Sequence, residues 1–202
     1  MISLAAPPYD LLDSMMWSIV ATAFLLGVAG LRLPIKSTGL VDEHGKNVRL
    51  GLAIALGATG LYLFIAGLFI SIRWPFTPLG GIYNVLFGGS ASLAGLVLLS
   101  VSVALFLNVG LREVSYFAAV LGAYLVVDAV SIIRYWLTST PPMSTAMYLA
   151  AAFAAFLSIP FTHTNNKWLK WLFAVAAFAF ALLWIYEAAN TTWGHLAPPP
   201  PK

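Results

Sequence analysis

Apolar residues run along this chain in six long blocks separated by short polar breaks: Met15 to Leu33, Arg49 to Ile72, Ile82 to Leu107, Val114 to Leu137, Ser144 to Phe161 and Lys167 to Asn190. A helix rises about 1.5 Å per residue, so about 20 apolar residues cross a hydrocarbon layer roughly 30 Å thick. Each block is long enough, the fifth near the lower limit. The pattern predicts an all-α polytopic membrane bundle of six transmembrane helices, a single domain over 1–197 followed by a proline-rich tail at 198–202.

Composition supports the pattern. The chain is 61% apolar and 8% charged with a mean hydropathy of +0.91, against about 25% charged residues in soluble domains. No room is left for a second, soluble catalytic domain. The absence of cysteine excludes disulfides, thiolate metal sites, thiol catalysis and Cys-ligated iron–sulfur clusters.

The net charge of +3 reports orientation rather than nucleic-acid binding, because the ten Lys and Arg residues lie mostly between the blocks. The first, third and fifth connections carry Arg32, Lys36, Lys46, Arg49, Arg112, Lys167 and Lys170; the other side has Arg73, Arg134 and Lys202. Under the positive-inside rule this places the protein in the cell membrane with both the N-terminus and the C-terminus outside. Trp17, Trp74, Trp136 and Trp193 then fall near outer ends and Trp168 and Trp171 near an inner one, as an interfacial belt requires. The N-terminal stretch lacks a basic region and carries Asp10 and Asp13, so the first block reads as a retained helix and not as a cleaved leader.

Small residues predict where helices approach closely. They recur at Ala53, Gly57, Gly60 and Gly67, at Gly88, Ser92 and Gly95, at Ala146, Ala150 and Ala154, and at Ala174, Ala177 and Ala181. Tight packing within the chain or oligomerisation would use them.

Asp128 is the residue with the most to say about chemistry. It lies deep in the fourth block, where a carboxylate costs several kcal/mol unless paired, hydrated or protonated. Tyr124, Asp128, Ser131 and Tyr135 follow one another at helical spacing and form one polar stripe. One reading makes the stripe the lining of a water-containing path, with Asp128 as proton or solute site. The other makes Asp128 hydrogen-bonded glue between helices. Arg134 lies on another face and is expected to reach the outer interface.

Arg73 and Glu187 would stand at the outer mouth, where Glu187 could guard the path or be merely interfacial and Arg73 could meet an anion, Glu187 or a lipid headgroup. The stretch Arg73 to Ser92 has two prolines and four glycines between two apolar blocks. It predicts a folded-in outer loop, Trp74 to Asn84, with Tyr83 and Asn84 supplying hydrogen bonds to a cap or vestibule. A tight turn followed by a glycine-rich packing face explains it equally well.

No cofactor or metal is expected. His44, His163 and His195 lie in a loop, at a helix end and in the tail, where none offers a haem an axial ligand within a helix. No Ser/His/Asp or His-Glu-x-x-His arrangement occurs, so no catalytic residues are assigned and the chain does not read as an enzyme.

The motifs "RWPFTPLGGIYNVLFG" (Arg73 to Gly88), "YWLTSTPP" (Tyr135 to Pro142) and "WGHLA" (Trp193 to Ala197) resemble an archaeal and bacterial multi-pass family, domain-of-unknown-function family 981, over nearly the whole chain. That likeness implies a multi-pass fold and no activity. More loosely, "NVLFG" and Gly110 to Val130 are similar to the urea and amide channel family, although no His-rich acid sensor is present in the first outer loop. The second likeness implies a channel.

Together these observations lead to the expectation of a channel or transporter for a small polar solute, standing in the lipid bilayer, with a homo-oligomer of one pore per protomer as one arrangement. The rival expectation is a non-catalytic subunit or scaffold whose small-residue faces dock other members of a membrane complex.

Overall fold

Each apolar block becomes one helix: α1 (Tyr9–Arg32), α2 (Glu43–Arg73), α3 (Ser90–Leu107), α4 (Arg112–Tyr135), α5 (Pro141–His163) and α6 (Lys167–Leu196). The structure is a computed structural model and describes residues 9–33, 43–75 and 81–196. Lys36, Lys202, the middle of the Trp74 to Asn84 loop and the proline-rich tail lie outside the described residues. All six helices are long and apolar enough to cross a membrane.

The helices overrun the apolar blocks at several ends, for identifiable reasons. α1 starts at Tyr9 rather than Met15, and in its first turns the Ser14 hydroxyl bonds the Leu11 carbonyl and the Tyr62 hydroxyl of α2. α5 starts at Pro141 rather than Ser144, because the first turn of a helix has N–H groups without intrahelical partners and prolines there lose nothing. α6 continues past Asn190, tied to α1 by Trp17 Nε1 donating to Thr192 Oγ1 at 3.1 Å.

α3 is entered through a π-helical turn, Asn84–Gly89. Its wider backbone is packed, not bare. Gly88 lies so close to α2 that a Cβ there would meet Ser71 Oγ at 2.5 Å and the Gly67 carbonyl oxygen at 3.1 Å. Ser90 and Ser92 return their hydroxyls to Leu86 and Gly88 carbonyls at 2.5 and 2.7 Å, which satisfies acceptors within the helix. The glycine-rich packing face is thus present. On the loop side the Trp74 indole lies over Gly81, and the Asn84 amide donates to the Gly81 carbonyl at 3.3 Å.

Three pairs pack most extensively, α2 on α3, α4 on α5 and α1 on α6. Looser seams join α1 to α2, α3 to α4 and α5 to α6. Every helix therefore touches its sequence neighbours and α6 returns to α1, closing a ring. Since the helices alternate in direction, one end of the ring carries the start of α1 and the end of α6. That end is the terminal end below; the other, with Arg32, Arg49, Arg112 and Lys167, is the basic end.

The close approaches explain the small-residue pattern. Gly57, Gly60 and Gly67 of α2 face Ser102, Gly95 and Ser92 of α3, and Gly122 of α4 faces Ala152 and Ala155 of α5. Ala174, Ala177 and Ala181 are buried on α6, where Ala174 meets Gly30 of α1. Ala146 remains exposed. Most of the small residues are consumed inside the chain.

Candidate functional site

A closed ring of helices leaves an axis, and a cavity of about 400 Å³ runs along it, walled by residues of all six helices. On α1 the wall extends from Leu12 to Leu33, which at about 1.5 Å per residue is about 30 Å, the thickness of a hydrocarbon layer. Spread over that length the volume is narrow.

The wall changes character along its length. At the terminal end it holds Tyr83, Thr138, Ser139, Ser144, Glu187 and Thr191. Glu187 has the Thr140 side chain as hydrogen-bonding neighbour, and Thr138 donates to Ser144 Oγ at 2.9 Å. Near the middle stand Thr22, Ser90, Tyr148 and Trp184 among Met, Leu, Phe and Ala side chains. At the basic end the wall holds Leu33, Leu105, Leu111, Phe161 and Phe173 together with Ser115, Ser158 and Thr162, and the two phenyl rings stack with centroids 4.4 Å apart and planes 10° from parallel.

The predicted outer-mouth residues divide. Tyr83 and Glu187 form part of the wall at the terminal end. Asn84 is buried at the start of the π turn and Arg73 is exposed at the end of α2, both away from the wall.

The polar stripe of α4 divides as well, and none of its four residues is in the cavity wall. Leu121 and Leu125 are the α4 side chains turned to the axis at this depth. Asp128 follows Leu125 on the same face; it is 7% exposed, and its Oδ2 is buried without a hydrogen-bond partner among the described residues. Its electrostatic neighbours are Tyr124 and Tyr148, and Tyr148 does reach the wall. The Tyr124 hydroxyl donates to the Val85 carbonyl of the π turn at 3.4 Å. Ser131 donates to its own helix at Val127, 2.8 Å away. Tyr135 is exposed, with the Arg134 guanidinium 5.5 Å from its ring centroid.

The sequence reading passed over Thr22, Ser90, Tyr148 and Trp184. The available signal was a hydroxyl or indole N–H deep inside a block too apolar to solvate it, the argument applied only to Asp128.

Six membrane-length helices closed around an axial cavity define a polytopic α-helical membrane protein. Residues 7–198 match the family model described as "Protein of unknown function (DUF981)", and the chain belongs to that family. No curated protein and no solved structure matches it.

Proposed function

We propose that the protein is a channel or transporter that carries a small neutral solute along the axis of the helix ring. The observation behind this reading is the cavity wall, contributed by all six helices and reaching from the terminal end to the basic end. Among its residues only Glu187 is charged, and it stands at the mouth. An ion would therefore cross the interior without a counter-charge, at a cost of several kcal/mol. A neutral molecule avoids that cost. The likeness to urea and amide channels points the same way but finds no match among solved structures, so the proposal stands on the cavity.

The subunit reading is weaker, since the small-residue faces that would dock partners are largely spent on α2–α3, α4–α5 and α1–α6 contacts. Stopped-flow swelling of liposomes containing the purified protein tests the proposal. Acceleration by formamide, acetamide or glycerol over protein-free liposomes is expected. Rates equal to protein-free liposomes across the panel and across pH would overturn it.

A further inference from the structure

The polar groups of the wall are not alike in what their hydrogens do. Ser90 donates to Leu86, Ser115 to Arg112 and Ser158 to Ala155, each hydroxyl satisfied by a carbonyl of its own helix. The Tyr148 hydroxyl has Ser90 as hydrogen-bonding neighbour. Thr22 Oγ1 and Trp184 Nε1 differ: both are buried and neither has a hydrogen-bond partner among the described residues. Both residues belong to the cavity wall while their donor atoms are covered as the side chains stand, so that a small side-chain rotation is what brings either donor to the cavity. An unsatisfied buried donor is destabilising, so two of them beside one cavity need a reason.

The two groups also share a level. Trp17 of α1 bonds Thr192 of α6, and Phe24 of α1 meets Phe178 of α6 edge to face at 5.5 Å. Thr22 falls between the two α1 residues, and Trp184 between the two α6 residues. The Trp184 ring lies 6.2 Å from Tyr148 and 6.1 Å from Phe180, centroid to centroid. At one depth, then, α1 contributes a hydroxyl, α6 an indole N–H, and α5 and α6 aromatic surface. Indole N–H can only donate, and a threonine hydroxyl has a hydrogen to give. What completes such a pair is an acceptor oxygen on an otherwise apolar, uncharged body.

We propose that Thr22 and Trp184 form a binding site within the axial cavity for a small neutral molecule bearing a carbonyl oxygen, which accepts hydrogen bonds from Oγ1 and Nε1. The site rests on reading the cavity as a solute path, but binding at it can be measured without flux.

The full-length protein, labelled with ¹⁵N at its seven tryptophan indoles and held in lipid nanodiscs, is titrated with N,N-dimethylacetamide, a carbonyl compound with no N–H of its own. The Trp184 indole signal is assigned by its loss in Trp184→Phe. Expected is a saturable downfield movement of that proton, with the other indoles nearly still. Thr22→Val, which keeps the shape and removes the hydroxyl, should weaken the apparent affinity roughly 2- to 10-fold. A Trp184 signal that stays fixed, or that drifts linearly with all the others, overturns the site; unchanged affinity in Thr22→Val overturns the role of Thr22. Swelling without the indole response sinks the site and keeps the path, whereas a saturable response without swelling keeps the site and sinks the path.

Discussion

A methyl group on Gly95 would stand 2.7 Å from the carbonyl oxygen of Gly60, across the contact between α2 and α3. Nothing flexible can yield there, because the neighbours are backbone: the Phe64 Cα would be equally close. Membrane helices gain their association from such close packing rather than from a hydrophobic effect. Gly95→Ala is expected to destabilise the fold by about 1–3 kcal/mol through overpacking, read as a lower midpoint in SDS unfolding. Ser102→Ala, which removes only the 2.6 Å bond to the Ala53 carbonyl, should cost about 0.6 kcal/mol, the mean for interhelical hydrogen bonds in membranes.

The stacked Phe161 and Phe173 belong to the cavity wall at the basic end. Phe161→Ala should speed acetamide-driven swelling while lowering stability by about 3–5 kcal/mol for a lost buried aromatic. Slower or unchanged swelling in correctly folded protein would show that these rings do not limit passage.

Asp128 is buried outside the wall, in electrostatic contact with a tyrosine that belongs to it. Asp128→Asn preserves shape and removes the ionisable oxygen, so the variant is expected to fold and to show an altered swelling rate. The comparison is made at matched protein content, with a thermal melt as the folding control. Equal rates in the two proteins would assign Asp128 to helix packing alone.

Glu187 supplies the wall's single charge at the terminal mouth. Formamide and formate are similar in size and differ in charge. The wild type should admit formamide and reject formate; Glu187→Gln should leave formamide flux within about twofold and raise formate entry, as the loss of a local like charge requires. Paired swelling and ¹⁴C-formate uptake measurements check both halves.

The spans were legible because apolar length alone dictates them, and no other feature was needed to find six. Helix ends were less so: Asp13 and Ser14 precede the first apolar block, yet a helix leaving the hydrocarbon continues wherever its side chains find partners, as Ser14 does with Leu11 and Tyr62. Small-residue spacing marked the close-packing face of α2 without naming its partner, and Gly57, Gly60 and Gly67 each meet α3. The candidate site divided along a physical line. All four outer-mouth residues lie near helix ends, where position along the chain fixes depth but not face, and of these Tyr83 and Glu187 line the cavity while Arg73 and Asn84 do not. The stripe of Tyr124, Asp128, Ser131 and Tyr135 depended on how α4 is rotated about its own axis, and that angle is set by α3 and α5 through contacts no single helix encodes. The tight α4–α5 contact turns Leu121 and Leu125 to the axis.

The π turn at Asn84–Gly89 carries one more consequence. A π-helical turn accommodates an additional residue relative to an α-helical one, so this stretch works as a register shifter in the third span. Deleting one residue between Leu86 and Gly89 would let the α ladder run unbroken and would swing everything before it by about 100° around the helix. Tyr83 would leave the wall of the axial cavity and Asn84 its buried place, while Ser92 and Gly95 kept their contacts with α2. A single codon there decides which faces of the same helix meet the mouth and which meet its neighbour.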